Sequence, residues 1–195
     1  MEKKEENTKT IAITGGICTG KSFVLEGVKS KGSPVFSCDE EIKKIRDGDK
    51  EVKRKILEEF PKEKGDKVKI QETIFNDKNK KKKLEDILYP ELEKKRKEFL
   101  SKNKGKVVFI EVPLLYEKGK EMQYDKVVVV SCSAETQKQR AINRGINTLV
   151  LDNIVKSQLS TEEKSRKADY IINSEGTHEE TKKKIEEIYR EIQKK

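Results

Sequence analysis

The segment Gly15-Gly16-Ile17-Cys18-Thr19-Gly20-Lys21-Ser22 has residue types and spacing that can do chemistry. It follows the apolar run Ile11-Ala12-Ile13 and precedes a stretch, Phe23 to Lys31, that reads as a helix. Gly-x-x-x-x-Gly-Lys-Ser between a strand and a helix is a loop that cradles phosphate. Gly15 and Gly20 let the backbone curl, so consecutive N–H groups converge on phosphate oxygens. The helix behind the loop adds its positive N-terminal dipole. Lys21 can reach the β- and γ-phosphates, and the Ser22 hydroxyl can hold Mg²⁺. The competing reading is a Gly-rich turn that only joins a strand to a helix.

In a doubly wound fold, ligands gather at the carboxyl ends of the strands. Two further strand ends carry carboxylates: Ser37-Cys38-Asp39, and Glu111-Val112-Pro113-Leu114-Leu115-Tyr116-Glu117. Phosphoryl transfer to an alcohol needs a group that accepts or orients the hydroxyl proton. The single histidine, His178, reads as a neighbour of a helix cap, so the base is a carboxylate. Asp39 is the candidate, with an N-cap of the helix Glu40–Arg46 as its second, compatible role. Glu111 either binds Mg²⁺, directly or through water, or orients the loop. Negative charge gathers at the transferring phosphoryl group, and arginine answers it best because of its planar fork. Seven arginines occur among 45 basic residues, which makes each informative. Arg140 and Arg144 lie four apart after the fourth strand, beside a small insertion, as a lid requires. Ordinary surface pairing is the alternative.

These groups need a scaffold, and the chain supplies short Val- and Ile-rich runs at Ile11–Thr14, Pro34–Ser37, Val107–Val112, Lys126–Ser131 and Asp169–Ile172. They do not alternate clearly, as expected of strands buried on both faces of a parallel sheet. Capping boxes at Ser160-Thr161-Glu162-Glu163 and Thr177-His178-Glu179-Glu180 open two helices. Ile185, Ile188, Tyr189 and Ile192 form a core stripe on the last helix, Glu179 to Lys195. The link from about Glu40 to Gly105 is too long for one crossover helix. It shows helical periodicity at Val52–Phe60, a polar break at Pro61–Lys67 and a long helix from Asn79 to Lys102. The expected fold is α/β: a P-loop NTPase-like, doubly wound, five-stranded parallel sheet with an inserted helical acceptor lobe and a lid. Residues 1–38, 105–144 and 160–195 form the nucleotide-binding core, 39–104 the acceptor lobe and 145–159 the lid.

The chain has 195 residues, 32% hydrophobic and 42% charged, with a net charge of +9, so its core must be thin and well segregated. The basic charge is mostly lysine, alternates with acid, and lacks aromatic interleaving, which argues against nucleic acid as a partner. Lys78 to Lys83 reads as a solvated helix face. A positive field also helps capture polyphosphates. Three scattered cysteines suit no disulfide or zinc framework and fit a reducing, cytoplasmic setting. No apolar run is long enough to span a membrane, and Met1 to Lys9 reads as a frayed polar tail, not a signal peptide.

Taken together, Thr14-Gly-Gly-Ile-Cys-Thr-Gly-Lys-Ser22, Asp39, Val112-Pro-Leu-Leu-Tyr-Glu117, Gln137-x-x-Arg140-x-x-x-Arg144, Lys164-x-x-x-Ala168-Asp169 and Asn173-x-x-Gly176 resemble the dephospho-CoA kinase family. The resemblance runs from about Thr10 to the C-terminal helix. It implies ATP- and Mg²⁺-dependent phosphorylation of the ribose 3′-hydroxyl of dephospho-CoA; separately, a monomer or weak homo-oligomer is expected. The resemblance also implies Asp39 as base, Lys21 and Ser22 as phosphate and Mg²⁺ contacts, Arg140 as lid arginine and the Leu114–Glu117 segment as acceptor wall. Four positions depart from the family pattern. Ser37 replaces the first Asp of Asp-Ala-Asp, Phe23 stands where Thr is common, Tyr89-Pro90 replaces His-Pro, and Val68 stands where Arg is frequent. Alternatives are another small-molecule P-loop kinase, acting on nucleosides or nucleotides, and a weakly active relative that binds ATP. A GTPase switch is disfavoured, because the third strand ends in Glu-Val-Pro and no Asn-Lys-x-Asp element occurs.

Overall fold

A computed structural model describes residues 8–194. Most of the polar start falls on residues 1–7, which lie outside the described residues, and Lys9 itself opens the first strand. In chain order the elements are β1 (Lys9–Thr14), α1 (Lys21–Lys29), β2 (Val35–Ser37), α2 (Cys38–Gly48), α3 (Lys50–Glu59), α4 (Lys67–Asn76) and α5 (Lys78–Lys102). There follow β3 (Val107–Glu111), β4 (Lys126–Ser131), α6 (Ala134–Asn143), α7 (Thr148–Lys156), α8 (Thr161–Arg166), β5 (Tyr170–Asn173) and α9 (His178–Lys194). The described chain divides into two compact units, one running up to Ser37 and resuming at Asn103, the other Cys38–Lys102.

The first unit is built on a parallel sheet of order β2-β3-β1-β4-β5. Its strands are the five Val- and Ile-rich runs of the sequence, and both faces are covered. Ile11, Ala12, Ile13 and Thr14 are all at 0% exposure, which a one-sided sheet would not allow. On one face Ile11, Ile13, Phe109, Val128, Val130 and Ile172 pack against Val24 and Val28 of α1 and Ile185, Ile188 and Ile192 of α9. Each such side chain contributes about 1.5–3 kcal/mol on burial, so a few Val and Ile residues per element suffice in a chain this polar. The register sets Ile13 beside Glu111 and Ser37 beside Glu111, which brings the ends of β1, β2 and β3 level at the carboxyl edge. Both expected capping boxes form: the Ser160 hydroxyl accepts from Glu163 N–H while Ser160 N–H donates to the Glu163 carboxylate, and Thr177 and Glu180 repeat the exchange.

In the second unit α2, α3 and α4 pack on α5. Cys38, Ile45, Val52, Ile56, Phe60, Ile70, Leu88 and Leu92 are its buried apolar residues. Three aspartates start its helices: Asp49, Asp66 and Asp77 each accept two backbone N–H groups at the head of α3, α4 and α5. The polar break expected at Pro61–Lys67 is a turn up to the cap Asp66, with Lys64 (φ 50°) and Gly65 (φ 77°) both left-handed, and Lys67 already opens α4. The helix after it, α4, buries only Ile70, too little to show as periodicity. The lysines of 78–83 lie along the first turns of α5, against the favourable direction of the helix dipole. Glu59 answers them, pairing with Lys80 (2.9 Å) and Lys83 (2.8 Å). No helix among the described residues is long and apolar enough to cross a membrane.

Candidate active site

The first unit builds a phosphate-binding loop. Gly15 (φ 151°) and Gly20 (φ 95°) take backbone conformations that favour glycine, and a Cβ on Gly15 would lie 2.3 Å from the Val130 carbonyl oxygen. The Thr19 hydroxyl donates to Gly16 O (3.0 Å), and Lys21 Nζ donates to Gly15 O (3.1 Å) and Gly16 O (2.8 Å), so both side chains brace the curl. Gly20 stands at the N-cap of α1 with no side chain capping the helix, which offers the N-terminus to an anion. Ser22 is exposed and Phe23 half-buried in the first turn.

Cys18 is the strained residue of the loop. Its φ of 58° costs a residue with a Cβ about 1–2 kcal/mol. Burial offsets that cost, because Cys18 packs with Ala141 and Leu151 and with the half-buried Ile17 and Ile146. The 145–159 segment thus carries a helix, α7, whose one buried residue, Leu151, sits under the phosphate loop. Arg144, at the C-cap of α6, points Nη1 at Cys18 Sγ (3.8 Å).

Two glutamines hold the tip of the loop. Gln137 of α6, 8% exposed, donates from Nε2 to Ile17 O (2.5 Å), and Gln158, just past α7, accepts from Ile17 N–H (3.3 Å). Both backbone polar groups of Ile17, in two successive peptide units, are therefore fixed by side chains more than a hundred residues away. Ser174 braces the other end. Its hydroxyl donates to Thr19 O (2.7 Å), with Ser131 O (3.2 Å) sharing the same proton more weakly, and it accepts from Arg140 Nη1 (3.0 Å) while Arg140 Nη2 donates to Ser174 O (2.6 Å). Arg140 is thereby held beside Gly20, whose added Cβ would lie 3.8 Å from Nη1. Glu175, the next residue, takes the Ser133 N–H (2.6 Å) and the Ser133 and Thr136 hydroxyls at the head of α6. Those three bonds keep its carboxyl below the usual range.

The sequence marked Arg140 and Arg144 by scarcity and spacing, and Gln137 stood in the quoted motif without a site role. Ser174 and Gln158 were missed. Ser174 lies inside Asn173-x-x-Gly176, but neither residue's bonds can be read from a spacing.

At the edge of β3, Glu111 is 5% exposed and accepts the Ser37 hydroxyl (2.6 Å). A carboxylate such as that of Glu111 and a hydroxyl such as that of Ser22 are hard-oxygen donors of the kind Mg²⁺ takes, with most of its remaining ligands coming from phosphates and water. Among the described residues no group of three or more His, Cys, Asp or Glu forms a protein-only cage. Beyond Glu111, Pro113 and Leu114 are half-buried and Leu115 is fully buried. Glu117 pairs with the fully buried Lys164 (2.8 Å) and accepts Leu159 N–H (2.9 Å), which ties the end of the 145–159 segment to the β3 loop.

Asp39 belongs to the second unit. It is exposed and sits inside the first turn of α2, which starts at Cys38 directly after β2, so it is not the N-cap the sequence suggested. Asp39, Glu40 and Glu41 instead face the positive end of the helix dipole together. Tyr89 of α5 is its neighbour in that unit: burial pushes the phenol up to about 12, with Glu85, Cys38 and Asp39 adding to the shift, so the hydroxyl stays protonated.

A family model described as dephospho-CoA kinase matches residues 9–180. This chain belongs to the dephospho-CoA kinase family. It is 36% identical to a dephospho-CoA kinase of Fusobacterium nucleatum, with 90% of this chain and 94% of that one covered. Among solved structures it is similar to TT1252 from Thermus thermophilus, with TM-score 0.83 and 27% identity, covering 95% and 98% of the two chains. A dephospho-CoA kinase from Campylobacter jejuni gives TM-score 0.64 at 27% identity, covering 95% and 97%. The chain is thus a kinase with the P-loop kinase fold.

Two departures from the dephospho-CoA kinase pattern, Phe23 and Ser37, find structural roles. Phe23 stacks on His178 (centroids 4.8 Å apart, 22° between planes), joining the start of α1 to the start of α9. Ser37 supplies the hydroxyl that Glu111 accepts. Val68 is 64% exposed on α4.

Proposed function

We propose that this chain transfers the γ-phosphoryl group of ATP to the ribose 3′-hydroxyl of dephospho-CoA, giving coenzyme A and ADP. The observation that carries the reading is the bracing of the phosphate loop by the family's own motif residues, with Gln137 on Ile17 and Arg140 on Ser174 beside Gly20.

The loop N–H groups of residues 15, 16 and 18–20, with those of Lys21, Ser22 and Phe23 at the head of α1, hold the triphosphate, while the Ile17 N–H stays on Gln158. Lys21 moves its ammonium charge from the loop carbonyls to the β- and γ-phosphates. Ser22 and Glu111 would hold Mg²⁺, which when bound neutralises charge between the β- and γ-phosphates. Asp39 accepts the proton of the 3′-hydroxyl as its oxygen bonds to the γ-phosphorus and the bond to the β–γ bridging oxygen breaks. Pro113, Leu114, Leu115 and Glu117 form the wall beside the acceptor, Leu115 from beneath and Glu117 through Lys164. Arg140 and Arg144 answer the charge on the equatorial oxygens, and residues 145–159 close as a lid that excludes water. The enzyme works in the cytoplasm as a monomer or weak homo-oligomer, with no nucleic-acid or membrane partner.

The test is ADP release by purified protein with ATP and Mg²⁺ against a panel of acceptors. Turnover with dephospho-CoA well above that with nucleosides and nucleoside monophosphates supports the reading. Turnover with a nucleoside monophosphate and none with dephospho-CoA overturns it.

A further inference from the structure

The second unit carries a groove of about 340 Å³, near the small end of the range for small-molecule clefts. Arg46 of α2, Lys53 of α3, Lys64 of the turn and Lys67 of α4 line it, with Asp47 and an apolar floor of Ile56, Leu57 and Ile70. Four cations from four separate segments converge here against one carboxylate. That carboxylate is already shared, because Asp47 accepts from Arg46 (3.0 Å) and Lys67 (2.7 Å), which fixes both cations in place. Lys53 and Lys64 make no ion pair among the described residues. Several other cations of this unit have carboxylates of their own, Lys44 with Glu41, Arg54 with Glu51 and Glu58, and Arg96 with Glu93 along one helix, and Lys80 and Lys83 with Glu59 across two. The groove differs in being concave, floored with aliphatic carbon and short of acid.

Its position along α2 gives it a ligand. Asp39 and Arg46 are seven residues apart, within about 20° of the same helix face and about 10 Å along the axis. Ile42 and Lys43 lie between them on that face. An acceptor whose ribose hydroxyl meets Asp39 can therefore run its 5′-substituent along α2 toward Arg46. In dephospho-CoA that substituent is a diphosphate followed by an uncharged chain that begins with a methylene and a gem-dimethyl carbon. Cations set over an aliphatic floor complement that sequence of groups.

We propose that the groove of Arg46, Lys53, Lys64 and Lys67 binds the diphosphate and the first apolar carbons of the acceptor's arm. The assignment rests on the functional reading above. The cations supply charge-assisted hydrogen bonds to the diphosphate, and Ile56, Leu57 and Ile70 cover the methyl groups. Lys64 and Lys67 provide positive charge on the stretch where the family often carries an arginine and this chain has Val68.

The test compares wild type with the double variant K53E/K64E and with K81E/K82E, which makes the same charge change at exposed lysines of α5 outside the groove. Half-saturating dephospho-CoA and half-saturating ATP are measured for each by ADP release, and thermal melts confirm that each variant folds. K53E/K64E should raise half-saturation for dephospho-CoA by about tenfold or more, as loss of charge-assisted bonds implies, with ATP half-saturation unchanged. K81E/K82E should change neither by more than about twofold, as for exposed charges. Equal effects of the two pairs, or an unchanged acceptor half-saturation in K53E/K64E, overturn the assignment while leaving the activity standing. If wild type does not turn over dephospho-CoA at all, the functional reading itself fails.

Discussion

Ser174→Ala tests whether the loop is held from behind. Ser174 is 4% exposed, and its hydroxyl donates chiefly to Thr19 O, shares that proton with Ser131 O, and accepts from Arg140 Nη1. Ser131 O keeps the Ser174 N–H (2.8 Å), and Arg140 keeps Ser174 O, so the largest loss falls on the Thr19 carbonyl and on one arm of Arg140. A buried polar group stripped of its partner costs about 1–3 kcal/mol. Taking about 2 kcal/mol, and about 2–4 °C per kcal/mol for a chain of this size, the melting temperature should fall by about 4–8 °C. Thr19 stands immediately before Gly20, the N-cap of α1, so the loosened turn should also lose phosphate affinity. A penalty of about 1.4 kcal/mol is tenfold in binding. Differential scanning fluorimetry and ATP titration of wild type and S174A read both quantities, with Ser30→Ala as an exposed control. A melt within about 1 °C of wild type, together with unchanged ATP half-saturation, would refute the bracing argument.

Asp39→Asn should leave ATP half-saturation near wild type and lower turnover by about a hundredfold or more, the usual contribution of a general base; stopped assays at saturating substrates read it, and wild-type turnover would remove Asp39 as base. Gln137→Glu replaces the donor to Ile17 O with an acceptor and adds negative charge beside a phosphate site, so ATP half-saturation should rise by about tenfold or more, and Gln137→Ala should have a smaller effect. Glu175 has its carboxyl lowered in the folded state, so its stabilisation is complete above the unfolded carboxyl range and fades as pH falls through the folded value. Glu175→Gln should therefore melt lower than wild type at pH 7, with the gap closing as the pH is taken below about 4; a gap that stays constant with pH would contradict this.

The sheet was legible because its strands are runs of Val and Ile buried on both faces, a pattern that survives in a chain this rich in lysine. The loop was legible because glycine at Gly15 and Gly20 answers local backbone geometry. Capping boxes are likewise local, three residues wide, and both form. What escaped was either faint or distant. Helix α4 buries one residue, and its clearest mark is the cap, Asp66. Gln158 reaches Ile17 across 141 positions and Ser174 reaches Thr19 across 155, so only the folded chain shows them as neighbours. Asp39 was legible as a carboxylate past a strand end, but its place inside the first turn of α2 depends on that helix starting without a linker.

The account turns on where the γ-phosphoryl group goes. Incubation of the protein with γ-labelled ATP, Mg²⁺ and dephospho-CoA, with the product resolved by mass spectrometry and ³¹P NMR, follows it directly. The label should appear as a phosphomonoester on the ribose 3′-oxygen of coenzyme A, in equal amount to the ADP formed. Label recovered as inorganic phosphate, or on any other hydroxyl, would contradict the assignment.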